Sequence, residues 1–332
     1  MIHKKRILVA GGGGFIGGQL ARTLVARGHD VVVVDIKPLN EWYQIQEGAE
    51  NHVANMEQLD HCFKLIEGCD EVYCLACNMG GMGFIENNKS LCMLSVLINT
   101  HMLMAARHHG VKNYFYSSSA CIYPDYKQTS ADIIALKEED AYPAMPENGY
   151  GWEKLFSERL CKNFEEDFGL VSQVYRFHNV YGPNGTWDGG REKAPAAICR
   201  KVIECIDSGN MEMEIWGDGE QTRSFMYIDD CITGIDKLMA SGHSDPLNLG
   251  RSELVTINGL LDIVEEIAGV IVKRNYNLEA PQGVRGRNSD NTEIKNVLGW
   301  EPEIDLRTGM ETTYHWIKEQ YDRRKLGERV VQ

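Results

Sequence analysis

The stretch "VAGGGGFIGGQLA" (Val9–Ala21) stands between the apolar run "RILVAG" (Arg6–Gly11) and an amphipathic segment. A glycine cluster at a strand-to-helix junction has a physical reason at each position. Gly11 permits a tight turn, Gly14 lets bare backbone approach a pyrophosphate, and Gly17 allows close helix-to-sheet packing, with the phosphates at the helix N-terminus. Asp35 closes the next apolar run, "DVVVVDI" (Asp30–Ile36). A carboxylate there accepts hydrogen bonds from ribose hydroxyls and repels a 2'-phosphate, so the expected cofactor is NAD rather than NADP. Lys37, two residues on, weakens that preference somewhat. Gly11, Gly14, Phe15, Ile16, Gly17 and Asp35 are the candidate cofactor-binding residues.

Working outward, "EVYCLAC" (Glu71–Cys77) and "NYFYSSS" (Asn113–Ser119) are continuous, β-rich apolar runs of the kind buried on both faces. The helical stretches "GGQLARTLVARG" and "LINTHMLMAARHHG" end at Gly28 and Gly110, as C-capped helices do. Strand and helix alternating in this way predict an α/β fold, a Rossmann-type doubly wound parallel sheet. A helix over 150–168 and the strand "VSQVYRF" (Val171–Phe177) continue it.

After Asn179 the texture changes. "NVYGPNGTWDGGREKAP" is a long loop rich in Gly, Pro and charge, the kind that carries a binding site. The helix "APAAICRKVIECI", the strand-like "MEIWG" and a return segment "SFMYIDDCITGIDKLMA" follow. The expected division is 1–178 with 225–250 as the cofactor-binding domain, and 179–224 with 251–332 as a smaller, interleaved α/β substrate domain.

The 332 residues are 43% hydrophobic and 25% charged, an ordinary globular balance, with a net charge of -14. That charge argues against nucleic acid or an anionic membrane as a general partner, so a phosphate ligand must meet a local cluster of cations. No run approaches the roughly 18 consecutive apolar residues of a membrane helix, and the N-terminus leads into a strand without a signal-peptide pattern, so a cytoplasmic location is expected. In that compartment the ten cysteines are reduced. "CLAC" (Cys74–Cys77) lacks a second ligand pair at zinc spacing and reads as core, and no metal site is expected.

"YGWEK" places Tyr150 and Lys154 four apart, on one face of a helix, downstream of the serine run that ends in Ser119. An ammonium beside a phenol lowers its pKa, and a serine hydroxyl can share the substrate proton, so the set suits alcohol oxidation with hydride transfer to NAD.

These residues resemble the extended short-chain dehydrogenase/reductase group acting on nucleotide sugars, and within it the GDP-mannose 3,5-epimerases. The resemblance rests on "MGGMGFI" (Met79–Ile85), "SSACIYP" (Ser118–Pro124), "RFHN" with "YGP" (Arg176–Pro183), "GGREKAPAA" (Gly189–Ala197), "WGDG" with "QTRSF" (Trp216–Phe225) and "GVRGRNSDN" (Gly283–Asn291). It implies a 4-keto sugar made with Tyr150 as base, and a Cys121/Lys193 pair that moves protons at the neighbouring carbons. It also implies substrate contacts at Gly80, Ser119, Ala120, Asn179, Glu192, Ala194, Lys201, Gln221, Thr222, Arg223 and Arg287, the last two as phosphate forks. A homodimer through a four-helix contact is implied as well. Asn55 stands where the family pattern has an aspartate near the adenine, and Asn78 replaces an acidic residue expected near the sugar. Ser95 occupies the place of a helix Asn. A fucose-synthase-type GDP-sugar 3,5-epimerase/4-reductase is the nearest alternative, but it pairs its cysteine with histidine and uses NADPH. A non-catalytic NAD-sensing protein on the same fold is disfavoured by the presence of both Tyr150 and Lys154.

Overall fold

The computed structural model describes residues 4–330. Its first half runs β1 (Arg6–Ala10), α1 (Phe15–Ala26), β2 (Asp30–Asp35), β3 (Glu50–Val53), α2 (Leu59–Ile66), β4 (Glu71–Cys74), α3 (Met82–Asn87), α4 (Lys89–Leu94), α5 (Val96–His109), β5 (Asn113–Ser119), α6 (Asn148–Phe168) and β6 (Val171–Phe177). Beyond it come β7 (Asn179–Tyr181), α7 (Ala194–Ser208), β8 (Glu212–Trp216), β9 (Thr222–Arg223), β10 (Phe225–Tyr227), α8 (Ile228–Ser241) and β11 (Leu247–Leu249). The chain finishes with β12 (Val255–Thr256), α9 (Ile257–Ala268), β13 (Lys273–Asn277), β14 (Gly286–Arg287), α10 (Thr292–Leu298) and α11 (Leu306–Lys325).

Seven parallel strands form the main sheet in the order β11-β6-β5-β4-β1-β2-β3. Alternate residues of β1 and β2 enter different cores: Ile7, Val9, Val31 and Val33 pack on one face, and Leu8, Ala10, Val32 and Val34 on the other. Covering both faces explains why these strands are unbroken apolar runs. Each fully buried valine contributes roughly 1.5–3 kcal/mol.

The strand order reverses between β1 and β4, which opens a crevice at their carboxyl ends. Gly11 and Gly17 line its near wall. Gly11 has φ +83°, and a Cβ on Gly17 would sit 2.3 Å from the Gly11 carbonyl oxygen. Beyond the main sheet, β9 pairs with β12 and β14, and in the β9/β14 register Arg223 stands beside Arg287.

Among the described residues one stretch, Lys89–His109, is long and apolar enough by length and composition alone to cross a membrane, although Ser95, Asn99, Thr100 and His101 interrupt its apolar run; its 18-residue window has a mean hydropathy of 1.3 and is 44% buried. It is broken at Ser95 into α4 and α5, which pack on α6 and α2.

Candidate active site

Two cavities meet over the carboxyl ends of the strands. The first, about 330 Å3, is lined by Gly11, Gly14, Phe15, Ile16, Gly17, Asp35 and Asn55. The second, about 400 Å3, is lined by Ala120, Cys121, Asn179, Ala194, Lys201, Gln221, Arg223 and Arg287. Gly80, Ser119, Tyr150, Glu192 and Lys193 line both, at the junction.

The first cavity fits NAD. Asp35 accepts hydrogen bonds from the Gly13 N–H (3.1 Å) and the Lys37 N–H (3.1 Å), which fixes its carboxylate at the end of β2. The Lys37 ammonium is drawn over the Tyr43 ring, 4.9 Å from its centroid, and so does not cancel Asp35. Asn55 turns its Oδ1 to the Glu57 N–H (2.9 Å). Asn78 corrects the sequence expectation: it lines this cavity rather than the sugar side, and its main-chain N–H donates to the Ser95 hydroxyl at 2.9 Å. Cys77, expected as core, also lines this cavity, whereas Cys74 is buried at the end of β4.

At the junction, Tyr150 lies in the first turn of α6. Burial pushes its phenol well above the usual value, with nearby thiols and Glu153 adding to this, while a hydrogen bond with Ser119 pulls it back. Lys154 is less direct than the spacing suggested. Its ammonium lies 5.6 Å from the Tyr150 ring centroid and donates to the Tyr116 hydroxyl at 3.1 Å, with Glu153 Oε2 at 3.4 Å. Glu153 is itself buried and also accepts from Tyr116 (3.1 Å) and Ser157 (2.9 Å). The residue before the lysine is thus a carboxylate that offsets its charge, a feature no spacing rule revealed.

Cys121 reaches the cavity from a turn just beyond the end of β5. β5 stops at Ser119, and Ala120–Ile122 coil into a single 3-10 turn whose Cys121 N–H donates to the Ser119 hydroxyl at 3.2 Å. The shared face of Ser119 and Cys121 therefore comes from a capped turn and not from strand alternation. Burial pushes the Cys121 thiol up, as does Glu147, while Arg287 and Ser119 pull it down.

Lys193 is the N-cap of α7. Burial pushes its ammonium below the ordinary lysine value, and the positive end of the helix dipole acts in the same direction. It makes no ion pair among the described residues. The adjacent loop is pinned close to the "MGG" glycines, since a Cβ on Gly81 would lie 2.7 Å from the Glu192 carbonyl oxygen. Glu192 itself pairs with Arg200 at 3.0 Å.

The cations sort by their partners. Arg223 donates only to the main-chain carbonyls of Thr222 (2.7 Å) and Gln282 (3.1 Å), and burial together with Arg287 lowers its pKa to about 10. Lys201 donates to the Glu214 carbonyl at 3.1 Å. Arg287, expected as a second phosphate fork, gives one hydrogen bond from each nitrogen to the protein, Nε to Gln128 (2.6 Å), Nη2 to Glu147 (2.9 Å) and Nη1 to the Cys121 sulfur (3.5 Å), and keeps two further N–H donors at the cavity wall. Thr222 turns its hydroxyl away, to the Ala131 carbonyl, and does not line the cavity.

Sequence reasoning singled out neither Trp216 nor His178 as site residues. Trp216 is 43% exposed at the outer rim of the second cavity. His178 lines both cavities; burial and Arg287 drive its pKa down to about 3, so it stays neutral and does not offer the imidazolium acid that a cysteine–histidine pairing needs.

Residues 7–250 match the NAD dependent epimerase/dehydratase family. The chain is 46% identical over 324 residues to GDP-mannose 3,5-epimerase 1 of Oryza sativa subsp. japonica, covering 97% of this chain and 84% of the relative. It is 45% identical over 321 residues to GDP-mannose 3,5-epimerase of Arabidopsis thaliana, covering 96% and 84%. Among solved structures, UDP-glucose 4-epimerase of Thermotoga maritima with UDP-glucose superposes with a TM-score of 0.87 at 25% identity, over 95% of this chain and 99% of that one.

Proposed function

The chain belongs to the NAD dependent epimerase/dehydratase family and is an NAD-dependent isomerase; from that premise we propose that it inverts C5 and C3 of GDP-mannose through a transient 4-keto sugar. The product is GDP-L-galactose, with GDP-L-gulose as the form inverted at C5 alone. The observation that carries this reading is the placement of Cys121 and Lys193 in one cavity, beside Ser119 and Tyr150, where that cavity meets the NAD site.

Bound along Gly11, Gly14, Phe15, Ile16 and Asp35, NAD supplies a reversible hydride acceptor. Tyr150, beside Ser119 at the junction, takes the proton of the C4 hydroxyl and later returns it to the same oxygen. The C4 carbonyl acidifies the hydrogens on C5 and C3. At each carbon the C–H bond breaks toward the Cys121 thiolate while the Lys193 ammonium delivers a proton to the opposite face. Thiol and amine exchange with water before the second carbon reacts. Arg223 and Lys201, which have no acidic partners, hold the diphosphate, with Gly80, Asn179 and Gln221 along the sugar and nucleotide path.

Incubation with GDP-mannose and NAD in heavy water is expected to place deuterium at C5 and C3 without net NADH; deuterium at neither carbon sinks the reading. Cys121→Ala is expected to reduce exchange at least ~100-fold while substrate still reduces bound NAD. Wild-type exchange in that variant would remove Cys121 from its role.

The apolar face shared by α4, α5 and α6 supports a homodimer. Leu94, Leu97, Trp152 and Phe156 are all exposed there, and two helices from each of two copies can bury them in a four-helix contact.

A further inference from the structure

A buried carboxylate stands behind Cys121 and takes no part in the chemistry above. Glu147 is 4% exposed and is the N-cap of α6, three residues ahead of Tyr150. Its main-chain N–H donates to the Cys121 carbonyl at 2.9 Å, and its Oε2 accepts from Arg287 Nη2 at 2.9 Å. A Cβ on Gly151, one turn on, would lie 2.2 Å from that same Cys121 carbonyl, so the first turn of α6 is clamped on the cysteine turn. Gln128, fully buried, holds the far side of the guanidinium, and the remaining Arg287 nitrogen faces the thiol.

A guanidinium in contact with sulfur favours the thiolate. Left uncompensated, it would hold the thiol ionised and oppose the return of a proton. A proton carrier that works at two carbons in succession must give up its proton between them, so neither form can be locked. We propose that Glu147 is the positioning residue for Cys121: by fixing Arg287 and partly cancelling its charge, it leaves the thiol able to hold and release a proton. This rests on the reading of Cys121 as a proton carrier.

The charges on each side agree with this. Burial pushes the Glu147 carboxyl up, and Arg287, with Cys121 and Arg223 adding to it, outweighs this and holds Glu147 below the usual carboxylate range. Burial works against the Arg287 charge, and Glu147 together with Cys121 outweighs that in turn. Around the thiol stand Ser119 from β5, Glu147 and Tyr150 from the start of α6, Arg287 from β14, Arg223 from β9, Lys193 from the N-terminus of α7, and Cys77 beyond β4. Asp125, in the turn after Pro124, is a further acid that acts on the pair.

The test is the pH dependence of iodoacetamide alkylation at Cys121 in the NAD-loaded enzyme, followed on the Cys121 peptide by mass spectrometry. In Glu147→Gln, which keeps the shape and loses the charge, the midpoint is expected to fall by about one pH unit or more. The acid limb of C5/C3 deuterium exchange should move the same way. Glu147→Asp, which keeps the charge, should stay near wild type. An unmoved or raised midpoint in Glu147→Gln, or an equal shift in Glu147→Asp, overturns the proposal. If Glu147→Gln does not fold, Arg287→Lys takes its place: an ammonium held by Glu147 no longer reaches the sulfur, so the midpoint should rise, and an unchanged or lower value counts against the idea. Alkylation needs no substrate, so absence of exchange in the wild type defeats the epimerase reading without touching this measurement.

Discussion

Arg223→Gln should weaken nucleotide binding and stabilise the ligand-free protein at the same time. Of the five N–H donors of a guanidinium, one from each terminal nitrogen of Arg223 serves a main-chain carbonyl, which leaves 5 − 2 = 3 for a ligand. Charge-assisted hydrogen bonds contribute about 1.5–3 kcal/mol each. Losing two of them to a diphosphate, with partial replacement by the amide, costs about 2–4 kcal/mol, or roughly 30–1000-fold in Kd. In the opposite sense, burial and Arg287 have lowered the Arg223 pKa to about 10, so its charged form is disfavoured in the folded protein. The folded state binds fewer protons than the unfolded state above about pH 10, so stability rises through that window; below it the penalty is present in full. The drop corresponds to roughly 3 kcal/mol, which water at the exposed edge cuts to about 1–2 kcal/mol. The ligand-free variant should therefore melt a few degrees higher at neutral pH. Calorimetric titration with GDP and thermal melts with and without GDP read both effects. GDP affinity within about threefold of wild type, or a lower melting temperature without ligand, would refute the reasoning.

Two further outcomes follow from the same charges. Glu153→Gln removes a carboxylate that raises the Tyr150 phenol and offsets Lys154; the acid limb of NAD reduction by substrate should move to lower pH, and the loss of a buried partner should destabilise the protein by about 3 kcal/mol. A limb that stays in place would leave Glu153 without influence on Tyr150. Phe156→Arg, on the exposed face of α6, should convert the proposed homodimer to a monomer in sedimentation, and an unchanged mass counts against that interface.

The parallel sheet was legible because its strands are buried on both faces and punctuated by glycines. β3 was not singled out, for the converse reason. β3 is an edge strand, "ENHV", exposed or half-exposed throughout, and carries no apolar run to find. In the site, residue identity was readable and orientation was not. Asn78 sits just before the "MGGMGF" loop yet lines the first cavity, and its main-chain N–H is held by the Ser95 hydroxyl at a helix break. Arg223 and Arg287 look equivalent as isolated arginines. As register partners on β9 and β14 they diverge, one toward open cavity and the other into Glu147, Gln128 and Cys121.

What separates a ligand-holding cation from a structural one here is the partner rather than the residue type. Arg176 is buried against Glu158 at 2.9 Å and holds β6 to α6, and Arg285 is exposed in a pair with Asp218 at 2.8 Å. Neither has charge to spare. Lys193, Lys201 and Arg223 share one cavity and pair with no carboxylate among the described residues, in a chain whose net charge is -14. With so many acids available, three half-buried cations left without one raise the energy of the empty pocket, and an anionic ligand lowers it again. Arg287 lies between these classes: it is paired with Glu147 yet still in contact with the Cys121 sulfur. A cation so placed keeps two N–H donors for a ligand and can also act on a thiol. On the reading proposed above, the grip on phosphate and the control of the proton carrier lie on two adjacent strands, where a change in one charge is felt by the other.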